Sequence, residues 1–164
     1  MTVLERLRPD HAPALLAFER ENRAYFGASI PDRGDDYFAG FDAQHAELLA
    51  DQAAGLLHFH ILTDGHGVVL GRVNLVDVAD GSAELGYRIG ERAAGRGLAT
   101  SGVRMVCGLA VADYGLTTLR ARTTVDNAGS RVVLARTGFV EAGTITLAGR
   151  PGLRFTRDLT DKDR

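Results

Sequence analysis

The run Gly86 to Ser101, GYRIGERAAGRGLATS, constrains the fold of this chain more than any other stretch. It closes a strand, passes through glycines and opens an amphipathic helix. Strand spacing before it and helical spacing after it lay a helix across one sheet face, and such a β-α-β crossover is right-handed by rule. Gly95 and Gly97 let the backbone approach a ligand closely, and the first-turn amides of the helix have no intrahelical partner. That geometry suits phosphate, through N–H groups and the positive helix end. Arg92 and Arg96 add charge for a polyphosphate. The same residues also read as a plain helix start with glycine turns.

The rest of the pattern fits around this unit. Val3 to Leu7 reads as a first strand. Pro9 and Asp10 open a helix carrying Leu15, Leu16, Phe18 and Asn22 to Phe26, which Gly27 to Gly34 breaks. A second, more acidic helical stretch runs to about Ala54. From Gly55 the period becomes two, with Leu57, Phe59 and Ile61 on one face and Leu56, His58, His60 and Leu62 on the other, so the histidines are expected outside. The turn Asp64 to Gly67 makes a hairpin with Val68 to Val78, and Ala83 to Ile89 follows. Leu98, Gly102, Met105, Val106, Leu109 and Ala112 share the expected buried face of the long helix. A strand (Thr118 to Val125), a short helix (Asn127 to Arg136) and two strands around the Ala148 to Gly152 turn complete the chain. The order β-α-α-β-β-β-α-β-α-β-β implies an α/β (α+β) fold. Its central sheet is expected to be mixed, mostly antiparallel, with about 6–7 strands flanked by helices. Residues 1–164 are expected to form a single domain, with only the charged tail from Thr160 to Arg164 frayed.

Composition narrows the function. With 45% hydrophobic and 24% charged residues, the chain has the make-up of a soluble globular protein. No apolar run approaches the roughly 18 residues of a membrane helix, and MTVLERLRPD is not a signal peptide, so a cytoplasmic protein with no membrane partner is expected. A net charge of −2 gives no basic field for nucleic acid. Cys107 is the sole cysteine and reads as a small buried hydrophobe. His58, His60 and His66 with Asp64 could suggest a metal, but six residues of strand put His60 and His66 roughly 20 Å apart unless the chain reverses, so no metal is expected. Tyr114, at a helix end, suits packing. Charge is uneven: Arg88, Arg92, Arg96 and Arg104 face only Glu91 over residues 86–106. Residues 32–51 hold Asp32, Asp35, Asp36, Asp42, Glu47 and Asp51 against Arg33. One anionic ligand and one cationic or amine-bearing ligand follow. A P-loop is excluded because no GK[ST] follows, and the dinucleotide fingerprint fails at Thr100.

Two segments resemble a known family. Arg92-Ala-Ala-Gly95-Arg-Gly97 fits the Q/R-x-x-G-x-G/A pattern that wraps the coenzyme A pyrophosphate in GNAT acetyltransferases. NAGSRVVLARTGF (Asn127 to Phe139) is similar to that superfamily's second motif, N-x-x-S-x-x-V-L-x-x-x-G-F. Leu134 stands where many members carry a tyrosine, and Ser130 lies one turn earlier, as in the ribosomal-protein N-terminal acetyltransferase branch. Glu21 to Arg33 is likewise similar to the first-helix region that shapes the acceptor pocket in that branch. The resemblance implies a GNAT fold, acetyl-CoA as co-substrate and an amine acceptor, with monomer and homodimer both open. It further implies that the backbone of Tyr87, Arg88 and Ile89 pairs with the pantetheine arm. Arg92, Gly95, Arg96, Gly97, Leu98, Ala99 and Thr100 would hold the pyrophosphate, and Asn127 would fix the arm near the thioester.

The chemistry asks for a base and an acid. Only a neutral amine attacks a thioester. At pH 7 a lysine amine is free about 0.04% of the time and an α-amine about 10–15%. Glu84, on the strand entering the site, is the candidate base, acting directly or through water. Its alternative is a solvent-facing position on an alternating strand. Ser130 is the candidate to supply the leaving thiolate with a proton or a hydrogen bond, its alternative a hydroxyl in the first turn of the helix that Asn127 opens. A peptide N-terminal α-amine is the expected acceptor. A small amine, or an acyl-CoA sensor without catalysis, is the alternative.

Overall fold

In the computed structural model, which describes residues 1–160, seven strands form one sheet in the order β1-β2-β3-β4-β5-β7-β6. They are β1 (Val3–Arg6), β2 (His58–Thr63), β3 (Val69–Ala79), β4 (Ser82–Ile89), β5 (Thr118–Thr124), β6 (Val140–Leu147) and β7 (Arg150–Asp158). Every neighbouring pair is antiparallel except β4 and β5, which the crossover helix α5 (Leu98–Ala112) makes parallel. The expectation for the tail past Thr160 lies outside the described residues.

Each expected N-terminal helix is divided in two: α1 (Ala12–Glu21) and α2 (Arg23–Gly27), then α3 (Asp35–Ala39) and α4 (Phe41–Ala53). Asn22 marks the first division. Its Nδ2 donates to the Phe18 carbonyl at 2.9 Å, competing with helical pairing, while its Oδ1 accepts from the Glu91 amide at 2.9 Å. The break therefore docks α1 onto the loop after β4. Gly90 permits this approach, since a Cβ there would lie 3.0 Å from the Phe18 ring.

Helices α1 to α4 cover one face of the sheet around Phe18, Phe26, Phe41, Phe59 and Ile61. Helices α5 and α6 (Ala128–Arg136) cover the other around Leu62, Val73, Leu85, Val106 and Leu134. Two expectations fail here. The outer face expected for His58 and His60 is buried, because both sheet faces carry helices at β2. The α5 face is rotated: Gly102, Val103, Val106, Cys107 and Ala110 are buried, while Met105 is 40% exposed. The helix is apolar on more than one side, so periodicity alone left its rotation open. Gly102 fixes it, seated so closely on Leu62 and Val73 that a Cβ would lie 3.0 Å from Leu62. The β6–β7 turn is tighter than expected, reduced to Ala148 and Gly149, both at positive φ.

Candidate functional site

The parallel pairing of β4 and β5 ends at Glu84 opposite Arg120. Past that point the strands diverge, leaving Leu85 to Ile89 and Ala121 to Thr124 as the two lips of a cavity of about 810 Å³. The edge of β4 facing the cavity lacks a strand partner there, while its other edge stays paired with β3 through Gly71 opposite Ile89. On one side of the sheet the cavity is walled by the start of α5 and by α6. On the other lie Tyr25, Phe26 and Ile30, and the β6–β7 turn also lines the cavity.

Most of the expected site residues converge on this space. Tyr87, Arg88, Ile89, Gly95, Gly97, Leu98, Ala99, Thr100, Asn127 and Ser130 all line it. Gly95 (φ +76°) and Gly97 (φ +74°) hold left-handed backbone that side-chain-bearing residues adopt at a cost, and Gly97 is the N-cap of α5. Among the described residues, chain neighbours aside, no atom lies within 4 Å of where either Cβ would stand, so the loop presents bare backbone. The first-turn amides of α5 are thus available to an anion.

Three expected residues lie elsewhere. Arg92 and Arg96 do not line the cavity. Arg92 Nε is 2.7 Å from Glu21, and Arg96 donates to the Arg92 carbonyl at 2.9 Å, so both guanidiniums brace the loop from outside. Glu84 is also absent from the lining. Strand alternation turns it away from Leu85, and its carboxylate accepts from Arg122 Nη2 at 2.9 Å. Arg122, by contrast, lines the cavity.

One contact was missed by sequence reading. The Tyr87 hydroxyl donates to Ser130 Oγ at 3.1 Å, and burial pushes the Tyr87 phenol above its ordinary pKa. Alternation already puts Tyr87 on the α6 side with Leu85 and Ile89, so the strand period could have found it. Asn127 Oδ1 accepts from the Ser130 amide at 3.1 Å, which caps α6 and sets the backbone that presents the serine.

The acidic run does not reach the site. None of the acids at residues 32–51 lines the cavity. Asp32 and Asp35 are 2.7 and 2.8 Å from Arg23, spent on a neighbour that local charge tallies could not see. Burial sets the roles of the remaining candidates. Cys107 is buried, its thiol pushed up by desolvation. Tyr114 stacks on His58 with ring centroids 3.6 Å apart. Among the described residues no group of His, Cys, Asp and Glu could hold a metal ion, and no helix is long and apolar enough to cross a membrane.

Comparison with known proteins agrees with this architecture. A family model described as an acetyltransferase (GNAT) domain matches residues 2–140. The probable N-acetyltransferase YjcK of Bacillus subtilis (strain 168) is 28% identical over 135 residues, covering 78% of this chain and 74% of its own. Ribosomal-protein-S5-alanine acetyltransferase from Vibrio fischeri superposes with a TM-score of 0.90 at 17% identity, over 98% of this chain and 94% of that one. Mycobacterium smegmatis RimJ, in complex with CoA-disulfide, gives 0.87 at 21% identity over 99% and 84%. A chimera of the spermidine N-acetyltransferase SpeG from Vibrio cholerae and hSSAT gives 0.81 at 17% identity over 97% and 96%. At these identities the structural likeness carries the fold, and its members act on unlike amines.

Proposed function

This chain belongs to the GNAT acetyltransferase family, whose members draw their acetyl group from acetyl-CoA, and we propose that the amine it acetylates is a peptide N-terminal α-amine. One observation carries this reading. Among the described residues, the cavity lining contains no carboxylate and no imidazole. A site so poor in base suits an acceptor that is already partly neutral. At pH 7 that describes an α-amine, about 10–15% free, rather than a lysine or polyamine nitrogen, of which well under 1% is free. Glu84 would take the proton only through water, because Arg122 holds its carboxylate.

The remaining roles follow from position. The unpaired edge of β4 at Tyr87 to Ile89 would pair with the amides of the pantetheine arm, as an added strand does. The bare backbone from Gly95 to Thr100 would receive the pyrophosphate, with Arg92 and Arg96 shaping the loop from behind. Asn127, its oxygen engaged by Ser130, keeps a side-chain NH2 to donate to the arm. Ser130 Oγ accepts from Tyr87, which leaves its own O–H to hydrogen-bond to the departing thiolate, and the thiolate then takes its proton from water. The bond from the carbonyl carbon to sulfur breaks as the bond to the amine nitrogen forms, and the amine's surplus proton leaves through water.

The test is a comparison of acceptors with acetyl-CoA, following free thiol. A free-N-terminus peptide is expected to be turned over at least tenfold faster, in kcat/KM, than the same peptide blocked at its N-terminus and carrying a lysine. Equal rates would remove the α-amine reading. Acetyl-CoA binding without thiol release for any amine would favour a sensor.

A further inference from the structure

Three guanidinium groups crowd one buried carboxylate beside the cavity. Glu19, on the last turn of α1, is 1% exposed, and its Oε1 accepts from Arg72 Nη1 at 2.6 Å. Arg33 Nε stands 3.6 Å and Arg88 Nη1 3.8 Å from the other oxygen. Only Arg72 is within hydrogen-bond range, so one negative charge is shared by three cations. Among the described residues no other carboxylate lies within 4.0 Å of Arg33 or Arg88.

Aromatic rings hold these cations without neutralising them. Arg88 lies 5.1 Å over Phe26, Arg33 4.6 Å over Tyr37 and Arg72 5.1 Å over Phe59. Arg88 is the member of the group that lines the cavity. Of the other arginines that line the cavity, Arg122 is matched by Glu84, Arg150 by Asp126, and Arg136 is exposed to solvent, whereas Arg88 is half-buried with only a distant share of Glu19. Burial and the neighbouring Arg33 push the Arg88 guanidinium down to about 10, which leaves it charged at neutral pH yet short of a counterion.

We propose that the acceptor carries a carboxylate close to its reacting amine, and that Arg88, backed by Arg33 and Arg72, receives it. This rests on the reading that an amine is acetylated in this cavity, and it names the class of acceptor. An incoming carboxylate would offset the surplus positive charge and gain a charge-assisted hydrogen bond. A polyamine would meet like charge on a partly desolvated wall, which discriminates against it. The carboxylate can come from an Asp or Glu side chain near a peptide N-terminus or from a free amino acid.

The experiment compares Ser-Glu and Ser-Lys peptides of otherwise identical sequence, free glutamate and spermidine, by thiol release with acetyl-CoA. The Ser-Glu peptide is expected to exceed the Ser-Lys peptide at least about tenfold in kcat/KM, with the ratio shrinking as salt rises. In Arg88→Gln the ratio should fall to near one. In Arg88→Glu, where two carboxylates then balance two arginines, it should fall below one. Because the ratio is internal to each variant, partial loss of folded protein does not alter it. Turnover of free glutamate matching that of Ser-Glu assigns the carboxylate to a small acid, and turnover of the peptide alone assigns it to an N-terminus. A parent ratio at or below one, or spermidine as the best acceptor, overturns the proposal while leaving the acetyltransferase standing. A large ratio that survives both substitutions removes Arg88 as the receiver. No thiol release with any amine overturns both.

Discussion

Tyr87 and Ser130 are joined in the cavity wall, the β4 phenol donating to the serine in the first turn of α6 at 3.1 Å. The hydrogen bond fixes which way the serine's own hydrogen can point, because its oxygen is already accepting. Ser130→Ala is expected to lower kcat about a hundredfold, the scale of a lost hydrogen bond to the charge that develops on the leaving group. Tyr87→Phe should lower it about tenfold by releasing the serine rotamer. The decisive quantity is the double variant. If Tyr87 acts through Ser130, Tyr87→Phe adds nothing in the Ser130→Ala background. Additive losses would give Tyr87 a separate role.

Gly97 tests the loop. Its φ of +74° costs an L-residue about 1–2 kcal/mol, although space for a Cβ is open. Gly97→Val should therefore destabilise the fold and also rotate the first amides of α5. The rise in melting temperature that acetyl-CoA gives the parent should vanish. Asparagine tolerates left-handed backbone, so Gly97→Asn should keep most of both. A Gly97→Val protein with parental acetyl-CoA affinity would show that the loop backbone does not bind the coenzyme.

What was legible in the sequence was local. The strand-to-helix turn at Gly95 and Gly97 and the cap at Asn127 are each fixed by residues within a few positions, and both motifs land on the cavity. The element order and the crossover followed from the order of periodicities, whereas the seating of β7 between β5 and β6 did not. The opening between β4 and β5 was not legible, because it depends on where pairing stops, at Glu84 and Arg120. Nor was the fate of charge. Asp32 and Asp35 looked free to meet a cation until the fold brought Arg23 to them, and Glu84 looked free until it brought Arg122. The Glu19 cluster gathers residues from α1, the loop after α2, β3 and β4, which no short-range pattern connects.

That cluster makes an asymmetric stability prediction. Glu19→Gln leaves three arginines around a neutral amide, and breaking a buried ion pair on one side costs about 3–5 kcal/mol. Arg88→Gln removes a surplus cation and keeps the Arg72 bond, so its cost should be small. Urea midpoints at matched m-values measure both. Similar losses for the two variants would mean that the surplus charge is already compensated.

His60 sets the acid limb of stability. It is fully buried, and its Nδ1 faces the Val73 carbonyl at 3.0 Å. A carbonyl can only accept, so Nδ1 carries the hydrogen, and Nε2 accepts from the Tyr114 hydroxyl at 2.6 Å. Burial lowers the pKa of the ring to about 4 from 6.5, so at neutral pH it is uncharged with Nε2 as the acceptor. Its neighbour His58 is lowered in the same direction by burial and by Arg6. With the folded pKa below the unfolded one, the unfolded chain binds more protons in this range, so stability rises with pH. The contribution of His60 is whole above about pH 6.5 and is lost as pH falls toward 4, amounting to about 3 kcal/mol. Urea unfolding from pH 7.5 to 4.5 should trace this slope, steepest at about pH 5 to 5.5, midway between the unfolded and folded pKa. His60→Gln should be less stable at pH 7.5 but flatter over the same window. A parent whose stability does not change between pH 7 and 5 would mean that His60 finds water, or a second partner, when it is protonated.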